Sequence, residues 1–329
     1  MKLTFEQIKS VAFGAVSVTE TESGIKFARC TEKQTDTWYS VSEFLGNGSR
    51  ATAGIKLDFM TDSAYFEFSA AEGNRFELSI DGLLRRCYLM NELRARGESA
   101  RFEICDPFGK PYAKGEMHRV TLYFPCHGIG ALGHAALEDG ARFEPHAHAM
   151  KMLFIGDSIT QGWDSGYDSM GYAPRVANFF NANSINQGIG GSFFNENAFD
   201  TFNFEPDVTV VAYGTNDWGK RSSADELYSH ARAHLSLIRD TFGGDGKRLF
   251  AISPIWRDEA KPRAMGEFTI CREAVIKAIK SEGFIHIDGL SLVPPIPELY
   301  ADKYLHPNAL GFSLYSENLI NQMLPYLSR

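Results

Sequence analysis

The sequence predicts an antiparallel β-sandwich followed by a doubly wound α/β domain. Its 329 residues exceed what one hydrophobic core usually serves, so two domains are expected. Up to about residue 148, polar and apolar side chains alternate, as in strands that bury one face. Beyond that point, near-continuous apolar runs alternate with helical stretches, as in a parallel sheet covered on both faces. We therefore assign residues 1–148 to the sandwich and residues 149–329 to the α/β domain.

The predicted strands of the first half are short, and turn residues separate them. Glycine, asparagine, aspartate or proline form turn signals at residues 46–48, 73–74, 81–82, 106–107 and 139–140. Strand-like runs lie at residues 55–59, 65–68, 76–80, 100–104 and 119–124. Such runs predict two antiparallel sheets packed face to face, and we expect a jelly-roll-like topology.

The second half alternates predicted strands with predicted helices. Strands are expected at residues 150–155, 207–212, 248–252 and 284–287, with a further one near residues 184–185. Helices are expected at residues 172–180, 224–239, 266–280 and 313–324. In such a sheet the ligand crevice lies beyond the carboxyl ends of the strands. Candidate functional residues are therefore expected directly after each apolar run.

Composition and charge argue against several classes of partner. Hydrophobic content of 44% with 22% charged residues is ordinary for a soluble globular protein. A net charge of −8 disfavours nucleic acid and anionic membranes. The sequence shows no secretory signal and no run of ~20 apolar residues, so we expect a cytoplasmic protein without a membrane partner. Its five cysteines include no CxxC pair, and we expect reduced, mostly buried thiols.

Four polar segments follow the apolar runs or lie near the C-terminus. Ser158 lies in the segment GDSIT, directly after the first run. The segments NQGIGG at residues 186–191 and GTND at residues 214–217 follow the next two strands. His306 lies in DKYLHPN, close to the last predicted helix.

In this order the four segments resemble the SGNH/GDSL hydrolase superfamily, whose marker residues fall here on Ser158, Gly191, Asn216 and His306. The resemblance covers about residues 150–329. It implies a serine esterase with Ser158 as the nucleophile and His306 as the general base. It also implies an oxyanion hole formed by the backbone N–H groups of Ser158 and Gly191 and by the side-chain amide of Asn216. No cofactor and no metal are implied.

The chemistry of these residue types agrees with the resemblance. A serine hydroxyl is a poor nucleophile until a base takes its proton, and neutral imidazole is suited to that near pH 7. The tetrahedral intermediate then needs preformed hydrogen-bond donors for its oxyanion. The segments supply all of these groups.

One position departs from the family pattern. The family usually places an aspartate three residues before the histidine, where this chain has Lys303, while Asp302 lies four residues before it. Either a one-residue bulge lets Asp302 orient His306, or the site is a serine–histidine dyad whose imidazole a backbone carbonyl holds. We take Asp302 as the third candidate catalytic residue.

Each candidate residue also has a purely structural interpretation. Ser158 could be a helix N-cap, Gly191 a turn residue, Asn216 part of an Asx turn, and His306 a loop residue. The pair His146 and His148 suggests a metal site, but no carboxylate or cysteine cluster lies nearby in the sequence, so we interpret it as a solvated linker.

The expected function is metal-free hydrolysis of a short acyl ester, above all an O-acetyl ester on an acetylated oligosaccharide. The order of sandwich and hydrolase domain resembles that of carbohydrate esterases, especially family two, and this resemblance at the level of architecture suggests the substrate. Trp163 and other aromatic residues near the motifs serve either sugar stacking or packing. Two alternatives are a lipase or acylhydrolase for other small esters, and a non-enzymatic carbohydrate-binding protein with a degenerate hydrolase domain. The complete set of four marker residues argues against the second.

Overall fold

The computed structural model describes residues 1–258 and 263–327. These residues divide into two compact units. The first unit, the sandwich unit, combines Met1–Arg29 with Arg50–His148, and the second, the α/β unit, combines Cys30–Ser49 with the chain from Ala149 onward. The units change at residue 148, as in the sequence-based assignment, but residues 30–49 lie in the α/β unit and not in the sandwich.

The sandwich unit contains the strands of residues 1–148 and two short helices. Its helices are α1 (Phe5–Ser10) and α4 (Met90–Ala95). Its strands are β1 (Ala12–Phe13), β2 (Ser17–Thr21), β3 (Gly24–Ala28), β4 (Lys56–Thr61), β5 (Tyr65–Glu72), β6 (Arg75–Ile80), β7 (Leu83–Leu89), β8 (Ala100–Glu103), β9 (His118–Tyr123), β10 (Ala131–Leu137) and β11 (Phe143–Pro145).

These strands form two antiparallel sheets. One has the order β1-β4-β9-β6-β7, with β11 also paired to β4, and the other has the order β2-β3-β10-β5-β8. Phe59 of the first sheet and Phe66 of the second lie with ring centroids 5.4 Å apart, within a core to which both sheets contribute. The predicted β-sandwich is confirmed. Its jelly-roll topology stays a prediction.

The α/β unit carries a five-stranded sheet and the longer helices. Its strands are β12 (Met150–Gly156), β13 (Ala182–Gly188), β14 (Val208–Ala212), β15 (Arg248–Ile252) and β16 (Ile285–Ile287). Its helices are α2 (Glu32–Val41), α3 (Glu43–Ser49), α5 (Ser158–Gln161), α6 (Tyr172–Phe179), α7 (Asp217–Lys220), α8 (Ala224–Phe242), α9 (Phe268–Ser281) and α10 (Ala309–Leu327).

All pairings within this sheet are parallel, in the order β13-β12-β14-β15-β16. Helices α6 and α10 pack together, and so do α8 and α9. The predicted doubly wound α/β domain is confirmed, because parallel neighbours joined through helices are what the alternating apolar runs require.

Helices in the half where only strands were expected are the main correction. Helices α1 and α2 each begin with a capping box, in which Thr4 pairs with Gln7 and Thr31 with Gln34. The turn predicted at residues 46–48 is wrong, since these residues lie inside α3. A Cβ on Gly46 would lie 2.2 Å from the Tyr39 ring, so glycine there permits close packing of α3 on α2.

Specific contacts anchor helix α2 and its N-cap on the α/β unit. Gln34 and Gln187 exchange two side-chain hydrogen bonds of 3.1 and 3.0 Å. The Thr31 hydroxyl donates to Asp200 at 2.6 Å. These contacts explain why residues 30–49 belong to the unit whose sheet begins more than a hundred residues later, at Met150.

Smaller expectations had mixed outcomes. No disulfide joins the five cysteines in the described residues, and Cys30, Cys126 and Cys271 are buried, which confirms that most are buried. The His148 side chain is not solvated as expected, because it is buried with its ring 4.5 Å from that of Phe13. Among the helices of the described residues, none is long and apolar enough to cross a membrane.

Candidate active site

The sheet order of the α/β unit brings three of the four polar segments to one edge. Strands β13 and β14 flank β12, and the register places Gly156 beside both Gly188 and Ala212. The residues that follow these positions therefore emerge side by side at the carboxyl edge, where a doubly wound sheet binds its ligand.

Ser158 occupies the tight connection between β12 and α5. A Cβ on Gly156 would lie 2.6 Å from the carbonyl oxygen of Ala212, so only glycine fits at the end of the strand. The carboxylate of Asp157 accepts the backbone N–H of Ile159 at 3.0 Å and is the N-cap of α5. Ser158 is thus the first residue of this helix and not its cap, so the N-cap interpretation of Ser158 is wrong.

A chain of short hydrogen bonds connects Ser158, His306 and Asp302, which we call the Ser158 set. Oγ of Ser158 lies 2.8 Å from Nε2 of His306. Nδ1 of the same imidazole lies 2.7 Å from Oδ2 of Asp302. A carboxylate beside Nδ1 keeps the proton on that nitrogen, which leaves Nε2 free to accept the serine proton.

A local backbone turn explains how Asp302 reaches His306 across the unusual spacing. Lys303 has φ +70°, in the left-handed region that non-glycine residues rarely adopt. Oδ1 of Asp302 accepts the backbone N–H groups of Tyr304 (3.0 Å), Leu305 (2.8 Å) and His306 (3.0 Å). The loop is therefore wound around the carboxylate, and the geometry matches the bulge alternative rather than the carbonyl-held dyad.

These donors also keep Asp302 ionised. Burial alone would raise the pKa of Asp302, but the backbone N–H groups and the imidazole together outweigh it, and the pKa lies below its usual value. An anionic carboxylate at this position can stabilise the imidazolium that forms when His306 takes a proton.

Backbone and side-chain donors face the same edge. Gly191 has φ +78°, so its backbone turns where a side chain would be strained. Within the described residues, the backbone N–H groups of Ser158 and Gly191 donate to no protein acceptor. The side-chain amide of Asn216 donates to the carbonyl of Ser192 at 2.8 Å, which fixes the amide and leaves its second N–H available. Asn216 makes no side-chain capping bond, so its amide forms no Asx turn.

Two buried aspartates beside this edge behave differently from Asp302. Burial raises the pKa of Asp157 to about 7, and the nearby Asp217 carboxyl adds to the effect. Burial also raises the pKa of Asp217 to about 7, although Arg221 at 3.7 Å lowers it. Both carboxyls are partly protonated near neutral pH, so neither equals Asp302 as a fixed negative charge for an imidazolium.

A second carboxylate, that of Asp164, also lies near the imidazole of His306. Oδ2 of Asp164 lies 3.8 Å from Nδ1 of His306, beyond hydrogen-bond distance, and its side chain is partly exposed. Asp164, Asp302 and His306 are also the one group of three possible metal ligands within the described residues, with donor atoms within 4.8 Å of one another. Both oxygens of Asp302 already accept hydrogen bonds, which reduces what the group can offer to a cation.

The sequence signature of the GDSL-like Lipase/Acylhydrolase family matches residues 154–314. The chain contains a GDSL-like hydrolase domain. This match includes Ser158, Gly191, Asn216 and His306, which lie at one edge of the sheet in the structure. Together with this site geometry, it makes the protein an ester-hydrolysing enzyme.

Several solved structures share the fold of this GDSL protein, and the similarity covers both units. A salicylyl-acyltransferase from a tetracycline biosynthetic pathway is 19% identical, with a TM-score of 0.77 and coverage of 96% of this chain and 94% of that chain. A family two carbohydrate esterase from Cellvibrio japonicus is 12% identical, with a TM-score of 0.64 and coverage of 100% and 98%. Another from Clostridium thermocellum, in complex with cellohexaose, is 15% identical, with a TM-score of 0.62 and coverage of 96% and 98%.

At these identities the likeness shows the fold alone. No curated protein matches the chain significantly in sequence. The catalytic roles of Ser158, Gly191, Asn216, His306 and Asp302 therefore stay predictions, although the structure brings all five residues to one edge of the GDSL domain.

Sequence reasoning missed several residues of this GDSL site. Ser192 fixes the Asn216 amide through a carbonyl, and a backbone atom leaves no signal in residue type. Asp164 lies six residues after Ser158 and has φ +64°, and only the three-dimensional structure shows that it lies near His306. Phe44 of α3 lies beside Gly191, and the only helix signal near it was the capping box at Thr31 and Gln34, which begins the preceding helix α2.

Proposed function

We propose that this GDSL enzyme removes short acyl groups, above all acetyl, from the hydroxyl groups of oligosaccharides. The hydrogen-bond chain of the Ser158 set carries the proposal. The Ser158 hydroxyl attacks the ester carbonyl while Nε2 of His306 takes its proton. His306 then returns the proton to the departing alcohol oxygen, and a water molecule activated by the same imidazole releases the acid.

The oxyanion of each tetrahedral intermediate meets three donors in this proposal. Two are the backbone N–H groups of Ser158 and Gly191, and the third is the second N–H of the Asn216 amide. Because these donors are held by the ends of three neighbouring strands, they need no reorganisation during the reaction. Losing one such donor typically costs roughly 10²–10³ in rate.

The choice of an oligosaccharide substrate is supported by the shared fold. Carbohydrate esterases of family two have the same two-unit fold, and one was solved with cellohexaose. A cytoplasmic location stays a prediction, and it is the reason for proposing oligosaccharides rather than polymers.

A panel of acetylated oligosaccharides tests the substrate class. Purified enzyme is incubated with acetylated xylo-, cello- and manno-oligosaccharides, and the loss of acetyl groups is followed by mass spectrometry. Ser158→Ala serves as the control for spontaneous hydrolysis. An enzyme that cleaves p-nitrophenyl acetate but removes no acetyl group from any sugar would contradict the sugar assignment while leaving the esterase in place.

Acyl chain length is the next expectation. We expect a higher kcat/KM for p-nitrophenyl acetate than for p-nitrophenyl octanoate, because the expected substrates carry acetyl groups and the sequence shows no long apolar lid. A higher kcat/KM for octanoate would favour the lipase or acylhydrolase alternative.

The fold likeness to a salicylyl-acyltransferase gives acyl transfer as a second candidate. The acyl-serine formed at Ser158 reacts with an alcohol by the same chemistry as with water, since His306 can take the proton of either. Supplying p-nitrophenyl acetate with a sugar or aryl alcohol separates the two reactions. Acetylated acceptor in excess of free acetate would identify a transferase, whereas free acetate alone identifies a hydrolase.

A further inference from the structure

We infer that Phe44 and Trp163 form the subsite for the alcohol portion of the ester, and that this subsite takes a neutral sugar ring. The inference rests on the proposed roles of Ser158 and His306. It adds a residue from helix α3, which lies far from the hydrolase motifs in the sequence.

Trp163 is held in place beside the imidazole. Its indole N–H donates to Oε1 of Gln161 at 3.2 Å, and the same oxygen accepts the backbone N–H of Gly190 at 2.6 Å. The backbone N–H of Trp163 donates to the carbonyl of Ser158 at 3.0 Å. The indole ring lies with its centroid 6.2 Å from that of His306 and inclined by 32° to it. Trp163 is therefore a fixed wall next to the general base.

Phe44 continues this wall toward solvent. Its ring centroid lies 6.4 Å from that of Trp163, and a Cβ on Gly191 would lie 3.2 Å from its Cε1 atom. Phe44 is nevertheless 59% exposed, so most of its ring is open to a ligand. Its neighbour Leu45 is buried, and anchoring of this kind makes the position of Phe44 well defined.

The position of the leaving alcohol during the reaction indicates that Trp163 and Phe44 contact the alcohol portion of the ester. His306 must give its proton to the alcohol oxygen, so that oxygen leaves next to Nε2. The carbonyl oxygen points toward the backbone N–H groups of Ser158 and Gly191 and the amide of Asn216. Trp163, whose ring lies beside the imidazole, therefore contacts the alcohol portion, and Phe44 extends the same surface past Gly191.

The chemistry of the wall favours a neutral ring with hydroxyl groups. Aromatic faces pack against the C–H face of a sugar ring or against an aryl ring. Next to Trp163, the partly exposed carboxylate of Asp164 accepts hydrogen bonds from hydroxyl groups and repels anions. The combination suits a neutral sugar better than an aryl alcohol or an acidic sugar.

A set of acetyl esters with different alcohols tests the inference. The enzyme is assayed with a monoacetylated methyl xyloside, phenyl acetate and ethyl acetate, which all form the same acetyl-enzyme. We expect Phe44→Ala to lower the ratio of kcat/KM for the xyloside to kcat/KM for ethyl acetate by about tenfold, since stacking on an aromatic ring contributes at that level. Trp163→Ala should lower the ratio at least as much. The rate of deacylation should not respond, because the alcohol has left by then.

Phe179→Ala is the matched control, since Phe179 is 58% exposed in the same unit. It should keep the wild-type ratio of the two kcat/KM values.

A Phe44→Ala variant that loses activity equally on all alcohols, or that loses none, would overturn the subsite. If Phe44→Ala changes the preference between acetyl and butyryl esters of one alcohol, the aromatic rings contact the acyl group, and the alcohol subsite is overturned as well. If Phe44→Ala lowers kcat/KM more for phenyl acetate than for the xyloside, the subsite binds an aryl alcohol and the sugar assignment is overturned. If the wild-type enzyme cleaves none of these esters, the proposed function fails before the subsite is tested.

Discussion

Among the residues that the structure describes, each unit holds a set of serine, histidine and carboxylate side chains in contact. The Ser158 set lies in the α/β unit. In the sandwich unit, Oγ of Ser69 lies 2.7 Å from Nδ1 of His134, and Nε2 of His134 lies 3.4 Å from Glu67. We call these three residues the Ser69 set. The serine–histidine distances of the two sets differ by only 0.1 Å, from 2.8 Å to 2.7 Å.

The carboxylates of the two sets are held very differently. Three backbone N–H groups fix Asp302, and its contact with His306 is 2.7 Å long. In the described residues no backbone N–H donates to the carboxylate of Glu67, and its longer contact competes with Ser99, whose hydroxyl lies 3.2 Å from the same nitrogen. Only the first arrangement fixes the imidazole orientation and its tautomer.

The surroundings of the two serines differ even more. Ser158 begins a helix at the carboxyl edge of a parallel sheet, where Gly191 and Asn216 bring further donors. Ser69 lies inside β5, opposite His134 in the neighbouring antiparallel strand. A serine in an extended strand has no helix start beside it to stabilise a negative charge. A short serine–histidine contact is therefore not sufficient for a nucleophile.

Replacing the serine and the histidine of each set should give the largest difference in activity between the two sets. We expect Ser158→Ala and His306→Ala to lower kcat/KM for p-nitrophenyl acetate by at least about 10⁴-fold, because both groups act in the same proton transfer. Ser69→Ala and His134→Ala should stay within about twofold of wild type, since their set lacks oxyanion donors.

Thermal unfolding of all four variants checks that each remains folded. Wild-type-like turnover by folded Ser158→Ala would refute the proposed nucleophile. Loss of activity in folded Ser69→Ala would show that the comparison assigns the chemistry to the wrong unit.

Replacing the carboxylate of each set, Asp302 or Glu67, should give the next largest difference in kcat between the two sets. In Asp302→Asn, the amide oxygen can still accept the three backbone N–H groups, but its N–H₂ group would face Nδ1 of His306 and favour the wrong tautomer. We expect kcat to fall by more than roughly 10²-fold, about 3 kcal/mol of transition-state stabilisation. Glu67→Gln is the matched control and should keep its kcat. A fall of less than about tenfold in Asp302→Asn, with His306→Ala inactive, would establish a dyad.

Much of the α/β unit could be predicted from sequence because its signals are local. Buried parallel strands are continuous apolar runs, and the residues after them necessarily gather at one edge. Position after the strands pointed to the polar segments, and the resemblance to the SGNH/GDSL superfamily assigned Ser158, Gly191, Asn216 and His306 within them. The helices α2 and α3 were missed because alternating patterns elsewhere in the first half dominated the interpretation, although Thr31 and Gln34 carried a capping signal.

The rest of the site depends on backbone geometry that residue type does not record. The left-handed conformation of Lys303 lets an aspartate four residues before the histidine take the place usually held three residues before it. Nothing in the identity of a lysine announces that conformation, which glycine or asparagine would favour. The placement of Phe44 beside Gly191 likewise depends on tertiary contacts of helix α3 and not on local sequence.

Asp164 provides a smaller test of what distinguishes the Ser158 set. Its carboxylate lies 3.8 Å from Nδ1 of His306 and is partly exposed, so solvent screens its effect on the imidazolium. We expect Asp164→Asn to lower kcat/KM for p-nitrophenyl acetate by about two- to fivefold. Asparagine tolerates the left-handed φ of this position, so the backbone should not change. A loss of more than about tenfold would give Asp164 a share in orienting His306, which we assign to Asp302 alone.

Removing metal ions with a chelator should have the smallest effect on activity. It tests whether a bound cation makes the Ser158 set differ from the Ser69 set. Asp164, Asp302 and His306 offer three possible metal ligands, so a bound cation rather than backbone donors could be what separates the Ser158 set from the Ser69 set. The hydrogen bonds argue otherwise. Nδ1 of His306 must carry a proton to donate to Asp302, and a protonated nitrogen cannot coordinate a metal. We therefore expect kcat/KM to stay within about 20% of its value after dialysis against EDTA, with no gain from added zinc or calcium. Activity that disappears in EDTA and returns with a metal would mean that Nδ1 binds the cation, and the tautomer argument for Asp302 would then have to be abandoned.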